Sequence, residues 1–335
     1  MTNPLTAIVD RLDRLQQGHR LVGVPYAVFK RFGEHDGGRL AATVSYYAFF
    51  SVFPLLLVFV TVLGIVLRND DTLRQDLVNG ALGQIPVIGS ELGDAGELTG
   101  SGLVLALGLA TALWAGLGAV AALREALDVI GDVPVRERGN FFVKKLREVA
   151  FLALLAAGVS LSTLAANLTT LFDLGPAAGA AGLALTTLVN TGLLLMMFVV
   201  LPAHHRPVRE LRPGVAVGAV LLVVLQQLGS FVVRRYIAGA SDTYGTFAIV
   251  IALLSWFFLV SRVILMSAQA NSVIADRLSP RRLRGDGPPT DADRRATLLD
   301  VQRIQRDPGL GYALSLNGEP ATSGEEAAAT PAATG

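Results

Sequence analysis

Cysteine is absent from this chain of 335 residues. The chain can therefore form no disulfide, no thiolate metal site and no cysteine nucleophile. Charged residues are also scarce, at 16% of the sequence, whereas hydrophobic residues make up 52%. The mean hydropathy of +0.52 lies well above that of ordinary soluble domains of this size. The composition therefore indicates a polytopic membrane protein.

Long runs without charge occur in six places along the chain. Each can cross the hydrocarbon core, which takes roughly 20 helical residues. The predicted spans cover about residues 40–67, 100–123, 149–172, 177–203, 213–233 and 243–275. Arg262 interrupts the sixth run near its predicted inner end, where a long side chain reaches the interface. We predict an all-α fold, a six-helix transmembrane bundle within residues 40–278.

Lysine and arginine predict the orientation of these spans. The connections on one side hold 23 of the 28 basic residues and those on the other side hold 4, with Arg262 as the remaining one. Short loops rich in positive charge stay in the cytoplasm. We therefore expect a multi-pass cytoplasmic-membrane protein with both termini inside the cell. The formal net charge of +1 by itself indicates no acidic partner.

The two ends of the chain differ from the spans. Residues 1–39 place apolar side chains at helical spacing among basic ones, which predicts amphipathic helices at the cytoplasmic interface. Residues 279–335 are rich in Pro, Gly, Ala, Arg and Asp, so we expect a largely disordered cytoplasmic tail. A short helix is predicted within it, around residues 298–304.

A proline interrupts the first span, in the stretch SYYAFFSVFPLLLVFVTVLG. Pro54 has no N–H for the carbonyl of Phe50, and its ring crowds that carbonyl, so we expect a kink just before it. The hydroxyls of Ser51, Tyr46 and Tyr47 are placed to satisfy the freed groups or to line a pocket. Two interpretations stay open: a structural kink packed against neighbouring helices, and the edge of a transport cavity.

The start of the sixth span holds the second candidate site. Tyr244 and Gly245 are expected on the outward side, with Trp256 three turns further along the same span. A cavity-lining role competes here with a simpler one, because aromatic residues often anchor spans at the interface.

Small residues four positions apart predict where helices pack closely. Helices in lipid approach through such positions because the hydrophobic effect does not drive them together. The glycine pairs singled out are Gly175 with Gly179 and Gly214 with Gly218. We expect packing contacts at these pairs rather than a conduit.

The sequence offers little catalytic chemistry. Its four histidines include the adjacent pair His204 and His205, which we interpret as part of a basic interfacial turn. No HExxH, CxxC or phosphate-loop spacing occurs, so no metal or cofactor is expected and an enzyme is poorly supported. The basic residues follow membrane topology without a recognisable RNA module, so membrane lipids are expected partners and nucleic acid is not.

Several stretches together resemble the YihY/BrkB family of bacterial inner-membrane proteins, whose older members were labelled ribonuclease BN or serum-resistance proteins. They are AATVSYYAFFSVFPLLL, ALREALDVI, Pro202, RPGVAVGAVL and YIAGASDTYGTFAIVIALLSWFFLV, in the family's order. One departure lies in SAQAN, where Ser267 and Gln269 stand in place of a glycine and a glutamate of the family pattern.

The resemblance implies a six-span helical bundle with interfacial helices, and transport or export of a small solute or lipid. The near absence of acidic groups inside the spans predicts a mechanism without a deeply buried carboxylate. A non-transporting membrane scaffold is the alternative, and a membrane-bound hydrolase is the third hypothesis. Substrate, direction, energy coupling and oligomeric state stay open at this point.

Overall fold

The computed structural model describes residues 13, 15–66, 102–155, 178–232, 241–283, 289–304, 315–316 and 319–320. The expected outward loop 68–97, Gly175 and much of the third predicted span lie outside these residues. The helices are α1 (Arg20–Glu34), α2 (Gly37–Val66), α3 (Gly102–Ile130), α4 (Ala178–Val200), α5 (Val208–Val232), α6 (Ser241–Ala275) and α7 (Asp291–Ile304). Residues 141–155 are also helical, Val135–Glu137 form a 3₁₀ turn, and Ser315–Leu316 pair antiparallel with Glu319–Pro320.

Four helical stretches among the described residues are long and apolar enough to cross a membrane. They are Ala106–Ile130, Gly182–Val200, Val208–Gly229 and Val250–Ala275. The all-helical architecture expected from the sequence is therefore present in the described part of the chain. Helix α2 covers the predicted span 40–67 except for its last residue, but it is not among these four stretches. Only residues 149–155 of the predicted span 149–172 are described, so the six-span bundle stays a prediction.

Helix α6 is the centre of the bundle, since it packs against α1, α2, α3 and α5. The main core lies between these helices and α4, with Leu127 of α3, Leu194 of α4, Val215 of α5 and Leu265 of α6 among its buried side chains. Exposed leucines, valines and phenylalanines cover the outer faces of the same helices. A bundle that is apolar outside as well as inside is typical of a membrane protein.

The crossing of α5 and α6 depends on two of the predicted glycines. A Cβ atom on Gly214 would overlap the carbonyl oxygen of Ser267 and the side chain of Asn271. One turn later, a Cβ on Gly218 would overlap the Ser267 hydroxyl. Both positions thus let the α5 backbone lie directly on α6, as close approach through small residues requires. Gly179 lies in α4, where its surroundings are outside the described residues.

Helices α1 and α7 cover one end of the bundle, together with the C-terminal ends of α3 and α6; we call it the polar end. Ala27 and Val28 of α1, Val273 of α6 and Ala296 of α7 are buried against one another. Lys30 of α1 also donates to Asp293 of α7 at 3.2 Å. The positive charge of the sequence predicts that this end is cytoplasmic.

The segment after Pro280 contains more helix than its composition predicts. A short helix near residues 298–304 is expected, whereas α7 begins at Asp291. Its start is a capping box: Thr290 Oγ1 accepts from the Asp293 N–H at 3.1 Å, and Asp293 Oδ2 accepts from the Thr290 N–H at 3.1 Å. Capping and ion pairs thus stabilise a helix that has few apolar residues of its own.

Candidate functional site

Six polar side chains from four parts of the chain meet at the polar end. We call this set the ionic cluster: Arg31, His35, Asp132, Gln269, Asp300 and Arg303. They come from α1 and the residue after it, the turn that follows α3, α6, and α7. Buried charges need partners, and each charged member finds an opposite charge inside the cluster.

Arg31 is the central cation of the cluster, and its side chain is 0% exposed. Its two terminal nitrogens donate to different carboxylates, Asp132 Oδ1 at 2.7 Å and Asp300 Oδ2 at 2.8 Å. Burial raises the pKa of the Asp132 carboxyl, but the hydrogen bonds and charges of His35 and Arg31 outweigh burial and leave that pKa below its ordinary value. Asp132 is therefore ionised at neutral pH.

His35 lies between two acceptors. Its Nε2 is 2.9 Å from Asp132 Oδ1, and its Nδ1 is 2.9 Å from Gln269 Oε1. The Gln269 amide can present either its oxygen or its nitrogen to Nδ1. In both orientations His35 joins Asp132 to α6.

Local sequence explains how these groups are presented. Arg31 and His35 stand four residues apart, so they lie on one face at the end of α1. Helix α3 ends at Ile130, and Asp132 adopts a left-handed conformation with φ of 54°, which aspartate tolerates better than most residues. The N–H of Val133 then bonds the carbonyl of Asp128 at 2.9 Å and closes the turn.

Three members of the ionic cluster could in principle hold a metal ion. The ligand atoms of His35, Asp132 and Asp300 lie within 4.8 Å of one another. Arg31 already contacts both carboxylates, however, and Arg303 Nε lies 3.8 Å from Asp132. Because the chain supplies its own cations here, the arrangement fits an ion-pair network better than a metal centre.

The ionic cluster is incompletely satisfied. Buried polar atoms without a hydrogen-bond partner among the described residues are Arg31 Nε, Asp132 Oδ2, Gln269 Nε2, Asp300 Oδ1 and Arg303 Nε. Native proteins leave few such atoms, and each requires a reason. Partly satisfied ionic networks contribute little net stability, and they can serve as switches between two arrangements.

A second ionic group lies beside the first, at the end of α3. Arg124 contacts Glu148 at 3.1 Å and Asp128 at 3.2 Å, and Lys145 contacts Glu148 at 2.7 Å. Asp128 also accepts from the backbone N–H of Ala203 at 2.7 Å. These bonds join α3 to residues 141–155 and to the turn between α4 and α5.

The ionic contacts of the polar end predict acid sensitivity. For Asp293, as for Asp132, burial raises the pKa, but hydrogen bonds from Arg281 and Thr290 outweigh it and hold the pKa well below the ordinary value. A carboxyl group whose pKa is lowered by folding stabilises the folded state at every pH above its unfolded pKa of about 3.8. This stabilisation is lost as the pH falls towards the pKa of the folded state. We expect the protection factors of the α7 amides, the intrinsic exchange rates at each pH divided by the measured rates, to be unchanged from pH 7 to 5 and to fall below about pH 4. Equal protection at pH 5 and pH 3 would contradict this assignment.

The predicted Pro54 site differs from these clusters. Helix α2 continues through Pro54, and Ser51 donates to the carbonyl of Ala48 at 2.7 Å rather than to that of Phe50. Tyr46 and Tyr47 are 56% and 45% exposed, and their rings stack edge to face at 5.6 Å. Tyr46 also contacts the ring of Phe50, with the ring centroids 4.7 Å apart, so the aromatic side chains of this part of α2 pack against one another. A cavity beside Pro54 stays a prediction.

The other predicted candidates lie along α6. Tyr244 and Gly245 are in its first turn, where the structure gives no side-chain surroundings. Trp256 packs over Gly229 of α5, since a Cβ atom there would overlap its ring. Trp256 thus contributes to the α5–α6 contact, and Tyr244 and Gly245 stay predictions.

The ionic cluster was not predicted as a site, although part of its signal is visible in the sequence. In the sequence, His35 lies within the predicted interfacial helices of residues 1–39, and Asp132 lies in the connection that follows the predicted span 100–123. The i, i+4 spacing of Arg31 and His35, and a carboxylate soon after an apolar span, are the local signals. Pairing across a hundred residues or more has no such local signal.

Comparison with known proteins identifies the family. Residues 28–291 match the model of the family described as "Virulence factor BrkB". The inner membrane protein YhjD of Escherichia coli (strain K12) is 26% identical over 265 residues, which are 71% of this chain and 77% of YhjD. The ribonuclease-like protein YfkH of Bacillus subtilis (strain 168) is 24% identical over 263 residues, 75% of this chain and 94% of YfkH. No solved structure matches. The family match covers most of the chain, from the second half of α1 to the first residue of α7, and the chain therefore belongs to the BrkB/YihY family of inner-membrane proteins.

Proposed function

We propose that this protein transports or exports a small solute or lipid across the cytoplasmic membrane, with the polar end inside the cell. The ionic cluster is then the inner gate of the pathway. The observation that carries the proposal is a buried, incompletely satisfied charge network at the point where α1, α3, α6 and α7 meet.

The geometry supports a gate because one residue holds several elements together. Arg31 bonds the turn after α3 and α7 at once, and His35 adds α6 through Gln269. Movement of α1 away from α6, from α7 and from the turn after α3 would break all of these bonds together. Such a cooperative contact has two states rather than a continuous range, which alternating access requires.

The distribution of charge supports a mechanism without a carboxylate at mid-depth. In the four candidate spans, the described acidic residues are Glu125, Asp128 and Glu210, each within a turn or two of an end. Arg262 lies further along α6, 6.0 Å from the ring of Phe32 in α1, so it is at the level of the interfacial helix. We infer that the substrate moves passively, or that an energy source is coupled to its transport through the ionic cluster at the polar end.

The test is a flux assay in liposomes that screens osmolytes and fluorescent lipids. Asp132→Asn removes the charge that Arg31 and His35 bind but keeps the shape of the side chain. We expect its passive flux to rise about tenfold, since a loss of roughly 1.4 kcal/mol from the closed state shifts the equilibrium by that factor. The matched control is Asp36→Asn, whose side chain is 63% exposed and pairs with Arg39. If both variants and the unaltered protein show the same flux, the cluster is not a gate.

Two further arms separate the competing hypotheses. Pro54→Ala should alter flux if the proline borders the pathway. Truncation after Ile304 keeps every described contact of α7, whereas truncation after Pro280 would also remove the partners of α1. If the protein is a scaffold, truncation after Ile304 should abolish function and Asp132→Asn should have no effect.

The hydrolase hypothesis has its own test. Metal-dependent cleavage of RNA by the purified protein would favour it.

A further inference from the structure

A cavity of about 40 Å³ lies beside the ionic cluster, between the ends of α3, α4, α5 and α6. Leu127, Phe198, Leu211 and Ala268 form its apolar walls. Asn271 and Arg206 supply polar groups, and the exposed His204 borders it, so the cavity reaches the surface of the polar end. A volume of this size holds a few water-sized groups.

The amide of Asn271 has a fixed orientation. Its Oδ1 accepts from the backbone N–H of Gly214 at 2.7 Å, and a backbone donor leaves no choice as to which end of the amide lies there. The Nδ2 group is therefore the free end. Asn271 is 2% exposed, and its Nδ2 is buried without a hydrogen-bond partner among the described residues. A buried donor of this kind favours a ligand that offers an acceptor.

The remaining polar groups of the cavity favour the same class of ligand. Ser272 already donates to the carbonyl of Ile130 at 3.2 Å. Arg206 holds Asp276 through two bonds of 3.0 and 2.8 Å, which fixes the guanidinium at the cavity. Among the described residues that line the cavity none is a carboxylate, and Arg206, which also lies 3.9 Å from Glu210 outside the lining, is its fixed cation.

We propose that this cavity binds the oxyanion of a phosphate group, with Asn271 Nδ2 as the buried donor and Arg206 as the cation at the rim. The phosphate belongs either to the headgroup of an anionic lipid at the interface or to a free phosphate. Apolar walls beside a donor suit the lipid, since acyl or glycerol carbons then contact Leu211 and Phe198. The site is independent of whether the protein transports anything.

Asn271→Asp tests the site with little structural change. The new side chain still accepts from the Gly214 N–H, but an acceptor replaces the free donor and repels an anion. The control is Asn140→Asp, because Asn140 Oδ1 likewise accepts one backbone N–H, from Val143 at 3.0 Å, and Asn140 does not line the cavity. The measurements are made at pH 8, which is well above the ordinary aspartate pKa of about 3.9.

The measurements use the purified full chain in uncharged detergent. Native mass spectrometry is recorded with phosphatidylglycerol and with diacylglycerol, which lacks phosphate, and thermal shifts are recorded with inorganic phosphate. We expect phosphatidylglycerol to bind the unaltered protein and Asn140→Asp equally, and Asn271→Asp at least about tenfold more weakly. If inorganic phosphate also binds the unaltered protein and is bound more weakly by Asn271→Asp, the free anion is a ligand of the site.

The proposal is overturned if every phosphate ligand binds Asn271→Asp as tightly as the unaltered protein. It is also overturned if diacylglycerol binds the unaltered protein as tightly as phosphatidylglycerol does. If Asn271→Asp fails to fold, Ala268→Val narrows the cavity from its apolar wall and should weaken phosphate binding in the same comparison. Unchanged binding by Ala268→Val then contradicts the site.

Discussion

Replacement of Arg31 by methionine is expected to destabilise the protein by about 3–5 kcal/mol, enough to unfold the polar end. Methionine fills a similar volume but leaves Asp132, with a side chain 2% exposed, without the cation at 2.7 Å. Loss of one partner from a buried charge network is among the most destabilising changes known for single residues, even where weaker partners such as His35 and Arg303 remain. Thermal unfolding in detergent, followed by circular dichroism, measures the effect.

Arg39→Met is the control for this prediction. Arg39 pairs with Asp36 at 2.8 Å, but its side chain is 77% exposed, and pairs in that setting contribute about 0–1 kcal/mol. Arg31→Lys keeps the charge yet cannot hold two carboxylates in the same geometry, so an intermediate loss is expected. Equal unfolding temperatures for Arg31→Met and Arg39→Met would show that the cluster does not stabilise the polar end.

A single methyl group at Gly214 is expected to separate α5 from α6. In Gly214→Ala the Cβ atom would overlap the Ser267 carbonyl oxygen, a backbone atom that moves only if the helix moves. Overpacking of this kind costs typically 1–3 kcal/mol or more. Gly218→Ala should cost less, because its obstacles are the Ser267 hydroxyl group, which can rotate, and the Ser267 Cβ atom at 2.8 Å, and neither is a backbone atom.

Gly192→Ala provides the matched control for the glycine series. Gly192 lies in α4, where a Cβ atom would meet nothing within 4 Å. Since alanine favours a helix by up to about 1 kcal/mol over glycine, this variant should be neutral or slightly stabilised. The expected order of unfolding temperatures is Gly192→Ala highest, Gly218→Ala next and Gly214→Ala lowest. A Gly214→Ala protein as stable as Gly192→Ala would exclude close packing at this crossing.

The transmembrane helices could be predicted because their signal is local. Long uncharged runs fix where a helix can cross lipid, and the described helices α3 to α6 coincide with predicted spans to within several residues. The α3 boundary shows the limit of this signal. The predicted span ends at residue 123, before Arg124, whereas the helix continues to Ile130, with Arg124 paired to Asp128 and Glu148.

The ionic cluster could not be predicted in the same way. Arg31 and Asp132 are about a hundred residues apart, and Asp300 is still further along the chain. Each residue alone fits a solvated interfacial position. Only the packing of α1 on α6 buries them together, and no periodicity in the sequence specifies which faces of two distant helices meet.

The sequence carries a local signal for the start of α7, but the polar composition of residues 279–335 led to a prediction of disorder. The sequence Thr290-Asp291-Ala292-Asp293 carries the pattern of a capping box, and the structure forms both of its bonds. The polar composition of the whole segment favoured disorder. Local capping together with ion pairs to Lys30 and Arg281 was sufficient for a helix there.

A reversible cross-link between α1 and α7 tests the gate most directly. The chain has no cysteine, so Glu34→Cys with Asp300→Cys introduces a unique pair, at two residues whose carboxylates both contact Arg31, at 3.3 and 2.8 Å. The measurement is flux through liposomes before and after treatment with a cleavable bismaleimide, and again after reduction. Our account predicts that the cross-link lowers flux about tenfold or more and that reduction restores it, because the gate must open for passage. Unchanged flux in the fully cross-linked protein would contradict the assignment of the ionic cluster as the gate.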